Sequence, residues 1–98
     1  MTQDEKGKTF RALHERSTAF IIPNPWDIGS ARILAHLGFE ALATTSAGYA
    51  FSVGQRDNDV PQEETLTHLA QMASATNLPV SADLGRGFGD SPEAVAET

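Results

Sequence analysis

Residues 78–93 read Leu-Pro-Val-Ser-Ala-Asp-Leu-Gly-Arg-Gly-Phe-Gly-Asp-Ser-Pro-Glu, and this stretch decides the fold class. Pro79 ends whatever helix precedes it, and Val80-Ser81-Ala82 begins a short strand. Asp83 to Asp90 is a glycine-rich turn. Ser91 is a good N-cap and Pro92 fits the first helical position, so a helix starts there. A strand that feeds a helix through such a turn is one βα unit.

Working backwards, the unit repeats. Glu63 to Thr76 predicts a helix, with Leu66, Leu69, Ala70, Met72 and Ala73 as its apolar face and two acids in its first turn. Ser46 to Gln62 has a loop composition: Gly48, Gly54, Asp57, Asn58, Asp59 and Pro61. Loops of that length inside compact domains are often functional. Ala41 to Thr45 predicts a second buried strand. Residues 27–37 predict a helix capped by Asp27 and closed by Gly38. Ala19-Phe20-Ile21-Ile22 predicts a first strand, buried on both faces. A short helix over about 6–16 precedes it.

The order is helix, strand, helix, strand, helix, strand, start of helix. That alternation implies parallel strands with helical crossovers. Three strands do not close a barrel, which takes eight and typically about 250 residues. The expected fold class is α/β: the N-terminal three βα units of a (β/α)8 TIM barrel, truncated, with residues 1–98 as an incomplete part of one domain. The alternative is a small three-stranded α/β domain complete as it stands.

Composition narrows the function. The net charge of −6 argues against a nucleic-acid or anionic-membrane surface, which needs a basic patch. With no cysteine, disulfides and thiolate metal sites are out of reach for this chain. The start, MTQDEKGKTF, lacks the apolar core of a signal peptide, and no apolar run approaches membrane-span length. A cytoplasmic protein is expected.

Three segments carry a resemblance to a known family. They are Asn24-Pro25-Trp26-Asp27-Ile28-Gly29-Ser30-Ala31-Arg32, then Gly38 to Gly48, then Leu78 to Gly89. In order and spacing they resemble the first three strands of the isocitrate lyase / phosphoenolpyruvate mutase superfamily, most of all its carboxyphosphonoenolpyruvate phosphonomutase-like branch. The resemblance implies a (β/α)8 barrel, a homo-oligomer, Mg2+ as cofactor and a small oxo or hydroxy acid as substrate. It implies making or breaking a C–C or P–C bond through an enolpyruvate-like intermediate. That chemistry needs a Lewis acid and preorganised donors, placed by barrel enzymes at the C-terminal ends of strands.

Carried onto this chain, the resemblance makes Ser46, Ala47 and Gly48 the substrate-binding residues, Asp57 the catalytic residue of a closing loop, and Asp83 the metal ligand. Asp59 can stand in for Asp57. Ser46 to Gly48 can equally be an ordinary turn, Asp57 a solvated acid, and Asp83 a turn cap. The chain departs from the superfamily two residues after Asp83, where a second acid is normal and Gly85 stands; this weakens or removes the Mg2+ site. Arg86 can supply positive charge to an anionic ligand in its place. Trp26 is expected to pack, Tyr49 to line the pocket or cover the loop. His14, His36 and His68 are expected on helices remote from the strand ends.

Much of the superfamily's machinery falls after its third helix, so the 98-residue chain alone is expected to be inactive. Two other readings remain: a non-enzymatic remnant or association module, and a nucleotide site at Gly85, Gly87 and Gly89, whose spacing is G-x-G-x-G.

Overall fold

The computed structural model describes all residues, Met1–Thr98. Five helices and two strands follow one another: α1 (Gln3–Glu15), α2 (Ile28–His36), β1 (Leu42–Ala43), α3 (Ser46–Ser52), α4 (Gln62–Ala75), β2 (Val80–Ser81) and α5 (Pro92–Glu97). β1 and β2 are parallel, with Leu42 opposite Val80 and Ala43 opposite Ser81. Leu42 N–H donates to Pro79 O at 3.0 Å and Thr44 N–H to Ser81 O at 2.9 Å.

The helix starts follow local chemistry. Asp27 Oδ1 accepts from Ser30 N–H at 2.7 Å and caps α2, and Ser91 Oγ accepts from Ala94 N–H at 3.2 Å and caps α5. α1 begins earlier than the expected residue 6. Thr2 and Glu5 form a reciprocal capping box, at 3.1 and 3.2 Å, which starts the helix ahead of Gly7.

Two expectations are corrected. The run 19–22 is not a strand, so the sheet has two strands rather than three. One backbone bond joins this segment to β1, Ala43 N–H to Pro23 O at 3.0 Å. Pro23 has no N–H to extend the ladder, and the Asn24 side-chain amide takes Ala43 O at 3.2 Å. Nor is the run buried on both faces, because Ile21 is 71 % exposed. Second, the expected loop 46–62 begins with a helix, α3. Thr45 Oγ1 accepts from Gly48 N–H at 3.2 Å and caps it.

The core is thin. Ala31 of α2, Leu42 of β1 and Met72 of α4 are its buried centre, with Ile28, Leu34, Ala75, Leu78 and Val80 packed around them. Leu42 and Met72 are its largest fully buried side chains. Each contributes roughly 1.5–3 kcal/mol of burial, so ties outside the core matter. Lys6 is one: it is buried, and its ammonium donates to Ala73 O at 2.6 Å and Thr76 O at 2.8 Å, fixing α1 to the end of α4.

Candidate functional site

The ends of β1 and β2 open into one cavity of about 440 Å3, whose wall includes Thr44, Ser46, Tyr49, Asp57, His68 and Asp83. Parallel pairing puts both strand ends on the same side. Thr44 fixes their relation: its hydroxyl accepts from Asp83 N–H at 2.9 Å.

Asp83 is tied to protein donors. Its Oδ2 accepts from Ser46 N–H at 3.3 Å and from the Ser46 hydroxyl at 3.2 Å, and its Oδ1 accepts from Gly85 N–H at 2.9 Å. The Gly85 bond, followed by those from Ser46, holds the carboxyl below its usual range against an opposing effect of desolvation. Asp83 therefore caps the turn that follows β2. A carboxylate offers about four lone-pair sites; three are used, and one on Oδ1 is left.

That bears on the fit of Mg2+. No three His, Cys, Asp or Glu side chains gather into a group able to hold a metal. Position 85 offers only a glycine amide, already spent on Asp83. The donors fit a cation with one protein carboxylate, the rest of its shell being water and ligand oxygen.

Of the three expected substrate-binding residues, Ser46 alone lines the cavity. Ala47 and Gly48 sit in the first turn of α3, away from the wall. Gly48 is small for a different reason: a Cβ there would run into the Trp26 indole. Trp26 thus lies against α3 with part of its indole, while the residue stays 47 % exposed. Asp57 and Asp59 both line the cavity. Arg56 Nε donates to Asp59 Oδ2 at 3.1 Å, whereas the Asp57 carboxylate forms no ion pair or hydrogen bond. Arg86 lines the cavity as well and pairs with Asp90.

His68 was expected to be remote from the site and is part of its wall. It is 7 % exposed, and its ring stacks on that of Tyr49 with centroids 3.9 Å apart. The Tyr49 hydroxyl donates to Glu64 Oε2 at 2.9 Å. Burial pushes the His68 pKa down; burial first, then the Glu64 bond and charge, pushes the Tyr49 pKa up. The signal in the sequence was the spacing of Thr65, His68 and Leu69 along one side of α4, all of which line the cavity.

Two of the three glycine amides in the turn are used internally, Gly85 N–H on Asp83 and Gly87 N–H on Leu84 O at 2.9 Å. A phosphate would find neither of them free.

Comparison with known proteins places these features in a context. The family model described as phosphoenolpyruvate phosphomutase matches residues 10–98. An uncharacterized protein of Mycobacterium tuberculosis is 34% identical over 89 residues, 91% of this chain and 34% of that protein. The 2-methylisocitrate lyase of Halalkalibacterium halodurans is 33% identical over 89 residues, 90% of this chain and 30% of the enzyme. A Burkholderia cenocepacia protein assigned to the lyases/mutases superposes with TM-score 0.94 at 62% identity, over 97% of this chain and 34% of that one. A 2,3-dimethylmalate lyase superposes with TM-score 0.80 at 27% identity, over 99% of this chain and 34% of the enzyme. The chain spans about a third of the length of the relatives it matches.

Proposed function

Since the chain belongs to the phosphoenolpyruvate mutase / isocitrate lyase superfamily, we propose that it supplies part of the active site of a lyase or phosphonomutase-like enzyme. The intact enzyme breaks or forms a C–C or P–C bond next to the carbonyl of a small oxo or hydroxy acid. An enolpyruvate-like anion is the intermediate. The observation that carries this reading is the Asp83–Ser46 pairing across the two strand ends, inside a cavity that Asp57 also lines.

Asp83 would hold Mg2+ through the lone-pair site left on Oδ1, and weakly, because Gly85 adds no acid. When bound, the cation supplies positive charge beside the developing enolate oxygen. Ser46 presents two donors to a carboxylate, at present that of Asp83. A ligand carboxylate is an acceptor of the same kind, so Ser46 keeps both its bonds in the exchange, while Asp83 Oδ2 gives up the two it accepts. Asp57, unpaired in the loop, is the group that would hold or move a proton at the ligand. The intact protein is a cytoplasmic homo-oligomer in this reading; no helix here is long and apolar enough to cross a membrane.

The test is calorimetric titration of oxalate into the chain with Mg2+ present. Binding that Asp83→Asn abolishes supports the proposal; oxalate binding indifferent to Asp83→Asn refutes it. The 98-residue chain alone is expected to show no turnover, and Mg2+-dependent release of pyruvate by it would overturn that expectation.

A further inference from the structure

Tyr49 stands three residues after Ser46 on α3, which places it just under one turn, about 4.5 Å, further along the helix axis. Its O–H donates to Glu64 Oε2 at 2.9 Å. The phenol has then spent its only proton, and its oxygen offers lone pairs alone. Beneath it lies His68, stacked at 3.9 Å with an interplanar angle of 25°. That imidazole is buried, and its Nε2 meets no protein partner. Burial favours its neutral form, so it adds no positive charge.

Tyr49 and His68 line the same cavity as Ser46 and Asp83. Around them lie Glu64, bonded to the phenol, Asp57, which has no partner, and Asp59, which is paired with Arg56. Arg86, the cation on this wall, is paired with Asp90. A carboxylate placed against Tyr49 would meet an acceptor backed by the Glu64 carboxylate, with no donor from the phenol to receive it. A hydroxyl would donate to the phenolic oxygen.

We infer that Tyr49 forms a second subsite beside the Ser46–Asp83 end, and that this subsite takes a ligand hydroxyl and rejects a second carboxylate. The substrate class is accordingly a small oxo or hydroxy acid with a hydroxyl at its far end, rather than a diacid. Tyr49 is the recognition residue. Glu64 fixes the direction of its proton, and His68 holds its ring in place. The inference rests on the reading above that the Ser46–Asp83 end receives the acid group.

The experiment titrates oxalate, malate and 2,4-dihydroxybutyrate into the chain in Mg2+. Dihydroxybutyrate is malate with its far carboxylate reduced to CH2OH, and oxalate carries no hydroxyl to offer Tyr49. The expected result is dihydroxybutyrate binding at least about tenfold tighter than malate. Tyr49→Phe keeps the ring and should cut that ratio below about threefold, with oxalate affinity changed less than about twofold. Glu64→Gln, which places an amide donor beside the phenol, should strengthen malate binding. His68→Ala should lose the preference and His68→Phe, which restores the stack, should regain it. Malate binding as tightly as dihydroxybutyrate, or a preference that survives Tyr49→Phe, overturns the subsite and leaves the Ser46–Asp83 reading standing. Failure of oxalate to bind the unaltered chain overturns both.

Discussion

The carboxylate of Asp83 accepts both donors of Ser46, the backbone N–H at 3.3 Å and the hydroxyl at 3.2 Å, and so fastens the end of β2 to the start of α3. The two residues are 37 apart in sequence. Everything proposed for the site depends on their being neighbours.

Ser46→Ala removes one of the donors that hold the Asp83 carboxyl low, and an NMR titration of that carboxyl should show its pKa move up towards the ordinary 3.8. The sign for stability follows. A lowered carboxyl pKa contributes stability that is fully present above the unfolded value and is lost as pH falls through the folded one. Acid unfolding of Ser46→Ala should therefore depend less on Asp83 below about pH 4. An unchanged carboxyl titration would mean that the Ser46 hydroxyl does not act on it.

His68 acts in the same direction but in a higher pH window. Burial lowers its pKa from 6.5, so the unfolded chain binds more protons there than the folded one. Stability is fully present above 6.5 and declines as pH falls through that value towards the folded one. His68→Phe should flatten the pH dependence of the denaturant midpoint in that window. A slope identical to that of the unaltered chain would show that the ring is not buried in its neutral form.

The tie between Lys6 and the end of α4 predicts a large effect from a residue far from the cavity. Lys6→Met keeps the aliphatic stem and removes two bonds, at 2.6 and 2.8 Å. Bonds to charged groups are worth about 1.5–3 kcal/mol each, and a loss of roughly 2 kcal/mol or more by urea denaturation is expected. A change within about 0.5 kcal/mol, the usual range for an ordinary surface substitution, would contradict the role given to it.

Gly85 has φ +58° and its N–H caps Asp83. Gly85→Asp places a second carboxylate by the cavity in a backbone conformation that costs most side chains about 1–2 kcal/mol, aspartate less. Mg2+ affinity should rise and thermal stability fall slightly. Unchanged Mg2+ affinity would mean that the missing acid is not what limits the site.

How far the sequence carried the reading depended on how local the cause was. The caps at Asp27 and Ser91 and the helices they start rest on neighbours within a few residues, and these were legible; β1 and β2 were legible from the runs between turns, although their pairing joins Leu42 to Val80. The run 19–22 misled because its apolar content suggests a strand, while Pro23 and the Asn24 amide take the positions a ladder needs. α3 was missed because Ser46 and Gly48 look like turn residues. The smallness of Gly48 answers to Trp26, 22 positions earlier, which no local pattern reveals. His68 was half legible: its spacing with Thr65 and Leu69 marks one side of α4, but that this side meets the cavity and Tyr49 is a tertiary contact between α3 and α4.

The most direct test of the central claim is to map oxalate onto the chain by amide NMR shifts in the presence of Mg2+. The account predicts the largest shifts at Ser46, Asp83 and Gly85, whose amides and carboxylate form one hydrogen-bonded cluster at the strand ends. Shifts confined to other surfaces, or none at saturating oxalate, would contradict it.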